Sequence, residues 1–336
     1  MKFRIALLLI FFPFVIGCSQ MLDAKINGIS FVASREKASK EHVDPVLHVQ
    51  ANYAAVMPFG FIRDLTAPEI VFDTDRQWFG ETKEGARQYI ELLKSNKVEV
   101  MLKPQIWIWR GEFTGYLKMT TEADWKTLED SYRQFILTYA KLAEELDVAL
   151  FCIGTELEQF IVNRPTFWSE LISEIKKTYQ GKLTYAANWD EYKRVPFWNE
   201  LDYIGVDAYF PVAESKTPTM EEAQLGWQPW KAELQGVSEK ENRRILFTEY
   251  GYRSVDYAGK KPWKSDRNMT EVNLPAQSNL MQALFQEVYA QEWFAGGFIW
   301  KWYINHGKAG GEDNSRFTPQ NKPVEKIVRE HFRTNY

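Results

Sequence analysis

The forty residues VALFCIGTELEQFIVNRPTFWSELISEIKKTYQGKLTYAA, numbers 148–187, carry one complete strand–helix–strand unit. Apolar residues fill 148–154, and a helical pattern follows over 167–179, with Gly181 just beyond its end. A second apolar run at 183–187 predicts the next strand. Elements in this order are typical of a parallel sheet whose strands are joined by helices.

The same alternation continues on both sides of this unit. Strands are predicted at 26–32, 49–57, 98–106, 148–154, 183–187, 203–207, 245–249 and 297–302. Helices are predicted at 81–96, 121–146, 167–179, 220–234, 275–293 and 323–332, and Thr121 with Asp124 resembles a capping box. Eight strands with helices in most of the gaps favour an α/β fold, a single (β/α)8 TIM barrel. The main alternative, an open doubly wound sheet, usually has a glycine-rich phosphate turn after its first strand, and the sequence has none there.

The first residues are expected to lie outside the fold. Lys2 and Arg4 precede an apolar run over 5–16, as in a secretory signal. The run is shorter than the roughly 20 residues of a transmembrane helix. It ends in VIGC at 15–18, which resembles the lipobox of bacterial lipoproteins, whose cysteine becomes the lipidated first residue.

We therefore expect a signal peptide at 1–17, lipidation at Cys18, a tether at 18–24 and the barrel at 25–336. The protein would be secreted across the inner membrane and held in the bacterial cell envelope by its lipid, on the periplasmic or surface face. An uncleaved membrane anchor is the alternative.

Composition narrows the class of function. The formal net charge is −4 with both signs interspersed, which gives no basis for nucleic-acid binding. After Cys18 only Cys152 remains, so the mature chain can form no internal disulfide. Its histidines form no HExxH pattern and its serines no GxSxG elbow. The 13 Trp and 16 Tyr suggest surfaces that stack on sugar rings, although core packing explains any single Trp as well.

Two acidic residues directly follow predicted strands. Strand four runs into Glu156 in FCIGTE, and strand seven runs into Glu249 in ILFTE. Polar residues at the carboxyl ends of barrel strands face the catalytic cup, and glycoside hydrolysis needs two carboxyl groups flanking the scissile bond. The pair therefore predicts a glycosidase. A structural ion pair at the rim is the alternative for either residue alone, and Glu158 is the rival to Glu156.

The chain resembles glycoside hydrolase family 113, within the clan of retaining barrel glycosidases. The matching segments are LKPQI at 102–106, GTE at 154–156, IGVDAY at 204–209, FTEYG at 247–251 and GFIWKW at 297–302. The resemblance covers nearly the whole mature chain and implies endo-β-1,4-mannanase activity, with Glu156 as acid/base and Glu249 as nucleophile. Most families of the clan have Asn before the acid/base, where it holds the sugar 2-hydroxyl. Thr155 stands there in this chain, which leaves that contact unassigned.

Further polar side chains at strand ends are candidates for substrate binding. Tyr209 could hydrogen-bond Glu249 and favour its charged form, or it could simply cap the barrel. Asp207 could orient a sugar hydroxyl or balance Lys103. Lys103 could in turn bind a hydroxyl or hold a neighbouring carboxylate. Asn188 ends strand five and is a further candidate.

Tryptophans occur in two pairs: Trp107 and Trp109 follow strand three, and Trp300 and Trp302 end strand eight. Alternation along a strand predicts that one of each pair points inward, and Trp109 and Trp300 are the expected sugar platforms. The polar segment 257–274 follows strand seven and is expected to be an active-site loop, with a solvated excursion as the alternative.

The sequence thus predicts a monomeric, retaining hydrolase of β-1,4-linked mannan-type polysaccharide or oligosaccharide, which needs neither metal nor cofactor. Action on another β-glycan, or exo-acting β-mannosidase activity, would use the same chemistry. A cleft closed at one end by the 257–274 segment would favour exo action. In a different class, the chain would be a surface lipoprotein that binds glycan without cleaving it.

Overall fold

The computed structural model describes residues 24–334, apart from 267 and 269. The predicted signal peptide, the lipidation site Cys18 and all but the last residue of the tether lie outside the described residues. Across the described ranges, no helix is both long and apolar enough to span a membrane.

Eight parallel strands close into a barrel, which confirms the predicted fold. Numbered along the chain and taken in order around the barrel, they are β1 (Ile26–Phe31), β2 (Tyr53–Val56), β5 (Glu99–Leu102), β7 (Leu150–Thr155), β8 (Lys182–Asn188), β9 (Tyr203–Asp207), β10 (Arg244–Tyr250) and β11 (Phe294–Trp302). The helices are α1 (Lys40–His48), α2 (Lys83–Ser95), α3 (Glu122–Glu145), α4 (Glu158–Asn163), α5 (Pro165–Thr178), α6 (Met220–Glu241), α7 (Leu274–Val288) and α8 (Pro323–Thr334).

The barrel is filled by side chains on its inside and covered by helices on its outside. A small inner cluster includes Met101, Cys152, Leu246 and Phe298, whereas a larger apolar layer lies between the strands and the helices. Both faces of each strand are therefore buried, which explains why the strands read as continuous apolar runs. Polar side chains remain at the carboxyl ends, where the barrel opens.

The prediction of one strand over 98–106 is wrong, because the chain leaves the barrel at Pro104. A second, three-stranded sheet lies at this point and consists of β3 (Phe59–Ile62), β4 (Val71–Phe72) and β6 (Gln105–Ile108). Pro58 separates β2 from β3 in the same way as Pro104 separates β5 from β6. Proline has no N–H to donate, so the ladder of the barrel ends there. The two breaks place Lys103 and Gln105 at the mouth of the barrel.

The predicted second strand, 49–57, starts too early. Residues 40–48 form α1, which contains Pro45 and was not predicted, and β2 begins only at Tyr53. A short helix with an internal proline and two buried valines gives too weak a periodic pattern to detect.

Candidate active site

Glu249 lies near the end of β10, where three side chains donate hydrogen bonds to its carboxyl group. Lys103 Nζ lies 2.7 Å from Oε1, and Gln105 Nε2 lies 3.0 Å from the same oxygen. The Tyr209 hydroxyl donates to Oε2 at 2.8 Å. The residue is only 7 % exposed. Both oxygens of this carboxyl group therefore accept hydrogen bonds, which fix its orientation.

Lys103 is fully buried and is shared between Glu249 and Asp207, whose Oδ1 lies 3.1 Å from Nζ. Burial by itself would lower the pKa of Lys103, but the charges of Asp207 and Glu249 outweigh burial and raise it. Burial and the charge of Glu249 raise the pKa of Asp207 to about 7, against the opposing effects of Lys103 and the Thr248 hydroxyl. Asp207 is buried against the lysine, so it balances Lys103 rather than presenting a surface to sugar.

Glu156 directly follows β7, and its carboxyl group lacks the hydrogen-bond donors that surround Glu249 in the described part of the chain. Burial raises its pKa well above the usual range, and the charges of Asp207 and Glu249 add to this effect, while Lys103 opposes it. No hydrogen bond joins its carboxyl group to any side chain in the described part of the chain. The raised pKa favours the protonated form of Glu156, the form that can donate a proton.

The backbone of Glu156 is strained. Its φ angle is +50°, in the left-handed region, which costs a non-glycine residue on the order of 1–3 kcal/mol. The backbone N–H of Glu156 donates to the Ala186 carbonyl on β8 at 2.8 Å. Strain of this kind persists only where the surrounding structure enforces it.

These two carboxyl groups have unlike surroundings: Glu249 accepts three side-chain hydrogen bonds, whereas burial raises the pKa of Glu156. Acid catalysis beside a nucleophile uses such a contrast. Glu158, the alternative acid, begins α4 and forms an ion pair with Arg194, outside the network around Lys103. In the described ranges, no group of three or more His, Cys, Asp or Glu side chains is arranged to hold a metal ion.

Gln105 is a site residue that sequence reasoning missed. Its amide reaches Glu249 only because the chain bends at Pro104, two residues after β5. The proline between two polar residues at a strand end was the available signal, since it predicts a break in the ladder.

The tryptophans differ in part from prediction. Trp302 is buried and Trp300 is partly exposed, and the register of β11 is irregular against both of its neighbours. The role of Trp300 as a sugar platform stays a prediction. The expectation that Trp107 or Trp109 points inward is wrong, because they are 48 % and 68 % exposed, respectively. Residues two apart share one face of a strand, and the isoleucines of β6 take the buried face instead.

Trp263, in the segment 257–274 after β10, lies beside the carboxyl end of β8. It stacks on Trp189 with ring centroids 5.0 Å apart and planes 20° apart. Asn188 precedes Trp189, and its side-chain oxygen accepts the N–H of that tryptophan at 3.0 Å. Trp263 remains 40 % exposed, so this loop adds an aromatic surface to the catalytic face.

A cavity of about 460 Å³ lies on the same face, beyond the carboxyl ends of β1 and β11. Its lining includes Arg35, Trp78, Tyr303 and Lys308. The Arg35 guanidinium lies over the Trp78 ring at 5.2 Å, and Trp78 is 45 % exposed. Aromatic surfaces therefore lie beyond β1 and β11 and, separately, beside β8.

The model of Glycoside Hydrolase Family 113 matches residues 32–322. No curated protein matches the chain in sequence. Among solved structures, the GH113 β-mannanase AaManA from Alicyclobacillus acidocaldarius has a TM-score of 0.80 at 21 % identity, over 93 % of this chain and 98 % of that one. A further GH113 β-1,4-mannanase has the same score and identity, over 93 % and 99 %. A Faecalibacterium prausnitzii β-glucuronidase has a TM-score of 0.59 at 14 % identity, over 93 % of this chain but 49 % of that one. Likeness at these identities shows a common barrel fold.

Proposed function

The chain belongs to glycoside hydrolase family 113, and from this premise we propose that it hydrolyses β-1,4-linked mannan with retention of configuration. It is a glycoside hydrolase by family. The single observation that carries the mechanism is the contrast between Glu156, whose pKa is raised, and Glu249, whose carboxyl group receives three hydrogen bonds. A retaining glycosidase needs this combination of a proton donor and a charged nucleophile.

The reaction proceeds in two displacements. In the first, a Glu249 carboxylate oxygen attacks the anomeric carbon while Glu156 gives its proton to the departing glycosidic oxygen. The sugar is then bound to Glu249 as an ester. In the second, Glu156 takes a proton from water, the water oxygen attacks the anomeric carbon, and the Glu249 carboxylate is released. Lys103, Gln105 and Tyr209 orient the nucleophile throughout. Paired carboxyl groups suffice for this chemistry, so no cofactor takes part.

Mannan is favoured as substrate because the two GH113 structures named above are β-mannanases of the same family and fold. Aromatic surfaces in two separate parts of the catalytic face favour endo action, in which sugar units on both sides of the cleaved bond are bound. We assign Trp300 and Asn188 to sugar contacts near the carboxyl pair, and the exposed Trp109 to a more distant platform.

The test is hydrolysis of β-1,4-mannan, glucomannan, xylan and cellulose by the wild type, Glu249→Ala, Glu156→Gln and, as a matched control, Glu158→Gln. We expect mannan to be cleaved with retention, and each catalytic variant to lose about 10³-fold or more in kcat. Glu158→Gln should stay near the wild type. A wild type that cleaves none of the four glycans would refute the proposal and favour a glycan-binding lipoprotein. Release of single mannose units alone would indicate an exo-acting enzyme.

We also propose that the protein is a monomer anchored in the cell envelope by lipid on Cys18. The support is the apolar run over 5–16 followed by VIGC. Cys18→Ser should move the protein from the membrane fraction to the soluble fraction and abolish incorporation of labelled fatty acid. Membrane association that survives this substitution would point to an uncleaved anchor instead.

A further inference from the structure

The strained backbone at Glu156 is tied to a buried tyrosine on the neighbouring strand. The next residue, Leu157, donates its backbone N–H to the Tyr185 hydroxyl at 2.6 Å. Tyr185 lies on β8 and is fully buried. The acid/base is therefore followed immediately by a peptide group whose hydrogen bond comes from a side chain rather than from the strand ladder.

The Tyr185 hydroxyl is itself held by Glu191. It donates to Glu191 Oε1 at 2.8 Å, while Oε2 accepts the backbone N–H of Asn188 at 2.9 Å. The N–H of Leu157 can only donate, so the Tyr185 hydroxyl accepts this hydrogen bond and keeps its single proton for Glu191. Glu191 accepts the proton of the Tyr185 hydroxyl, so the hydroxyl oxygen faces the N–H of Leu157 as an acceptor. Glu191 is buried and has no role in the reaction described above.

Close packing keeps Tyr185 in place. A Cβ added at Gly154 would lie 3.1 Å from the Tyr185 ring and 2.7 Å from the Tyr132 hydroxyl, so only glycine allows this approach. The ring of Tyr185 also meets Trp168 edge-on, with centroids 5.8 Å apart. Tyr185 thus has little freedom to follow Leu157 if that residue moves.

We propose that Tyr185 and Glu191 are positioning residues for the acid/base: they hold the N–H of Leu157 and thereby fix the left-handed backbone that aims Glu156 at the glycosidic oxygen. The inference rests on the proposed function for the role of Glu156. Both side chains are buried, so they act through the backbone of Leu157 rather than on the substrate directly.

Glu191 also acts on Glu156 through its charge. The charged groups facing Glu156 are Asp207, Glu249, Lys103 and Glu191. Burial raises the pKa of Glu191 to about 8, and the further groups facing it are Tyr185, Glu158 and Asp207. Because its pKa is about 8, Glu191 is mainly charged above that pH, where its charge raises the pKa of Glu156. Its removal should therefore move the basic limb of the pH profile of kcat/KM to lower pH.

Tyr185→Phe tests the positioning role with two substrates that differ in their need for acid. Mannopentaose leaves as a sugar alcohol and must be protonated, whereas 2,4-dinitrophenolate leaves from an aryl β-mannobioside without a proton. Because general acid catalysis contributes about 10²–10⁴-fold, a misplaced acid should lower kcat/KM about 30-fold for mannopentaose and less than about 3-fold for the aryl substrate. Tyr179→Phe is the matched control, since it removes a buried hydroxyl bonded to the Val148 carbonyl. It should lower neither value.

Glu191→Gln provides a second route in case Tyr185→Phe weakens the barrel. It places an amide near the N–H of Asn188 and removes the charge, so we expect a loss for mannopentaose together with a shift of the basic limb to lower pH. A crystal structure of Tyr185→Phe should show that the φ angle of Glu156 has left the left-handed region.

Equal losses for both substrates, an unshifted basic limb in Glu191→Gln, or an unchanged φ of Glu156 would overturn the inference. The proposed function fails separately, if the wild type itself cleaves neither mannopentaose nor the aryl β-mannobioside. The crystal structure decides the positioning role even in that case.

Discussion

At the scale of single residues, Lys103 supplies the positive charge of a site that contains several acids. It is fully buried and contacts two of them, Asp207 and Glu249. A buried ion pair adds little net stability, but removing one partner leaves the other charged in a low-dielectric site. The stability of the folded site therefore depends strongly on Lys103, because both Asp207 and Glu249 rely on its positive charge.

Lys103→Met should lower the unfolding free energy at pH 7 by about 3–5 kcal/mol, because two buried carboxylates lose their counter-charge. The deficit should be smaller at pH 5, since the folded variant can then bind protons on these groups, which relieves the penalty. Urea unfolding at both pH values measures this. Lys126→Met is the control, because its ion pair with Asp130 is exposed and contributes little. An equal deficit at both pH values would contradict the electrostatic explanation.

The carboxyl pair could be predicted from sequence because each acid follows an apolar strand, and a barrel places all such positions at one end. Gln105 was missed: Pro104 signals a break in the strand, but the contact of Gln105 with Glu249 depends on the direction that the chain takes after the break. Glu191 lies in a polar stretch after β8, and nothing in that stretch distinguishes the one acid that turns inward to Tyr185.

At the scale of elements, the long helices and most barrel strands could be predicted from the sequence. The break at Pro104, where the chain leaves the barrel, was missed. Helix α3 has a repeating apolar stripe and a start at Thr121, and both were visible in the sequence. β3, β4 and β6 have only two to four residues each, which is too short for a periodic signal. Their sheet forms through contacts between segments distant in sequence, and local patterns do not record these.

Thr121→Ala should lower the unfolding free energy by about 1 kcal/mol, because its hydroxyl accepts the N–H of Asp124 at 3.1 Å and caps α3. Thr121→Ser keeps this acceptor and should retain most of the stability. Denaturant unfolding of the two variants at neutral pH measures the difference. An equal loss in both would show that the methyl group, and not the cap, matters.

At the scale of the whole molecule, the catalytic face combines a central carboxyl pair with aromatic surfaces supplied by separate loops. Trp78 lies near the cavity beyond β1 and β11, and Trp263 belongs to the loop after β10. The rigid barrel fixes the pair, while these loops determine how much glycan is bound.

Trp78→Ala should lower kcat/KM for polymeric mannan by about 10-fold, the equivalent of about 1.4 kcal/mol of lost stacking. An aryl β-mannobioside has only two sugar units to bind, so we expect it to be cleaved almost as fast as by the wild type. Steady-state rates on both substrates make the comparison. Leu225→Ala, an exposed apolar residue on α6, is the control and should change neither rate. Equal losses on the short and the long substrate would place Trp78 beside the reacting sugar instead.

The electrostatic link between the two carboxyl groups has a consequence for the order of events in each turnover. Part of the proton affinity of Glu156 comes from the negative charge of Glu249. When Glu249 is esterified by the sugar, that negative charge is lost. The pKa of Glu156, which has just given up its proton, is then lower, so Glu156 binds a proton from solvent less readily. It stays a free base until water arrives. Hydrolysis of the ester restores the negative charge of Glu249, which again favours protonation of Glu156. The covalent state of Glu249 therefore controls when Glu156 acts as a base and when it acts as an acid.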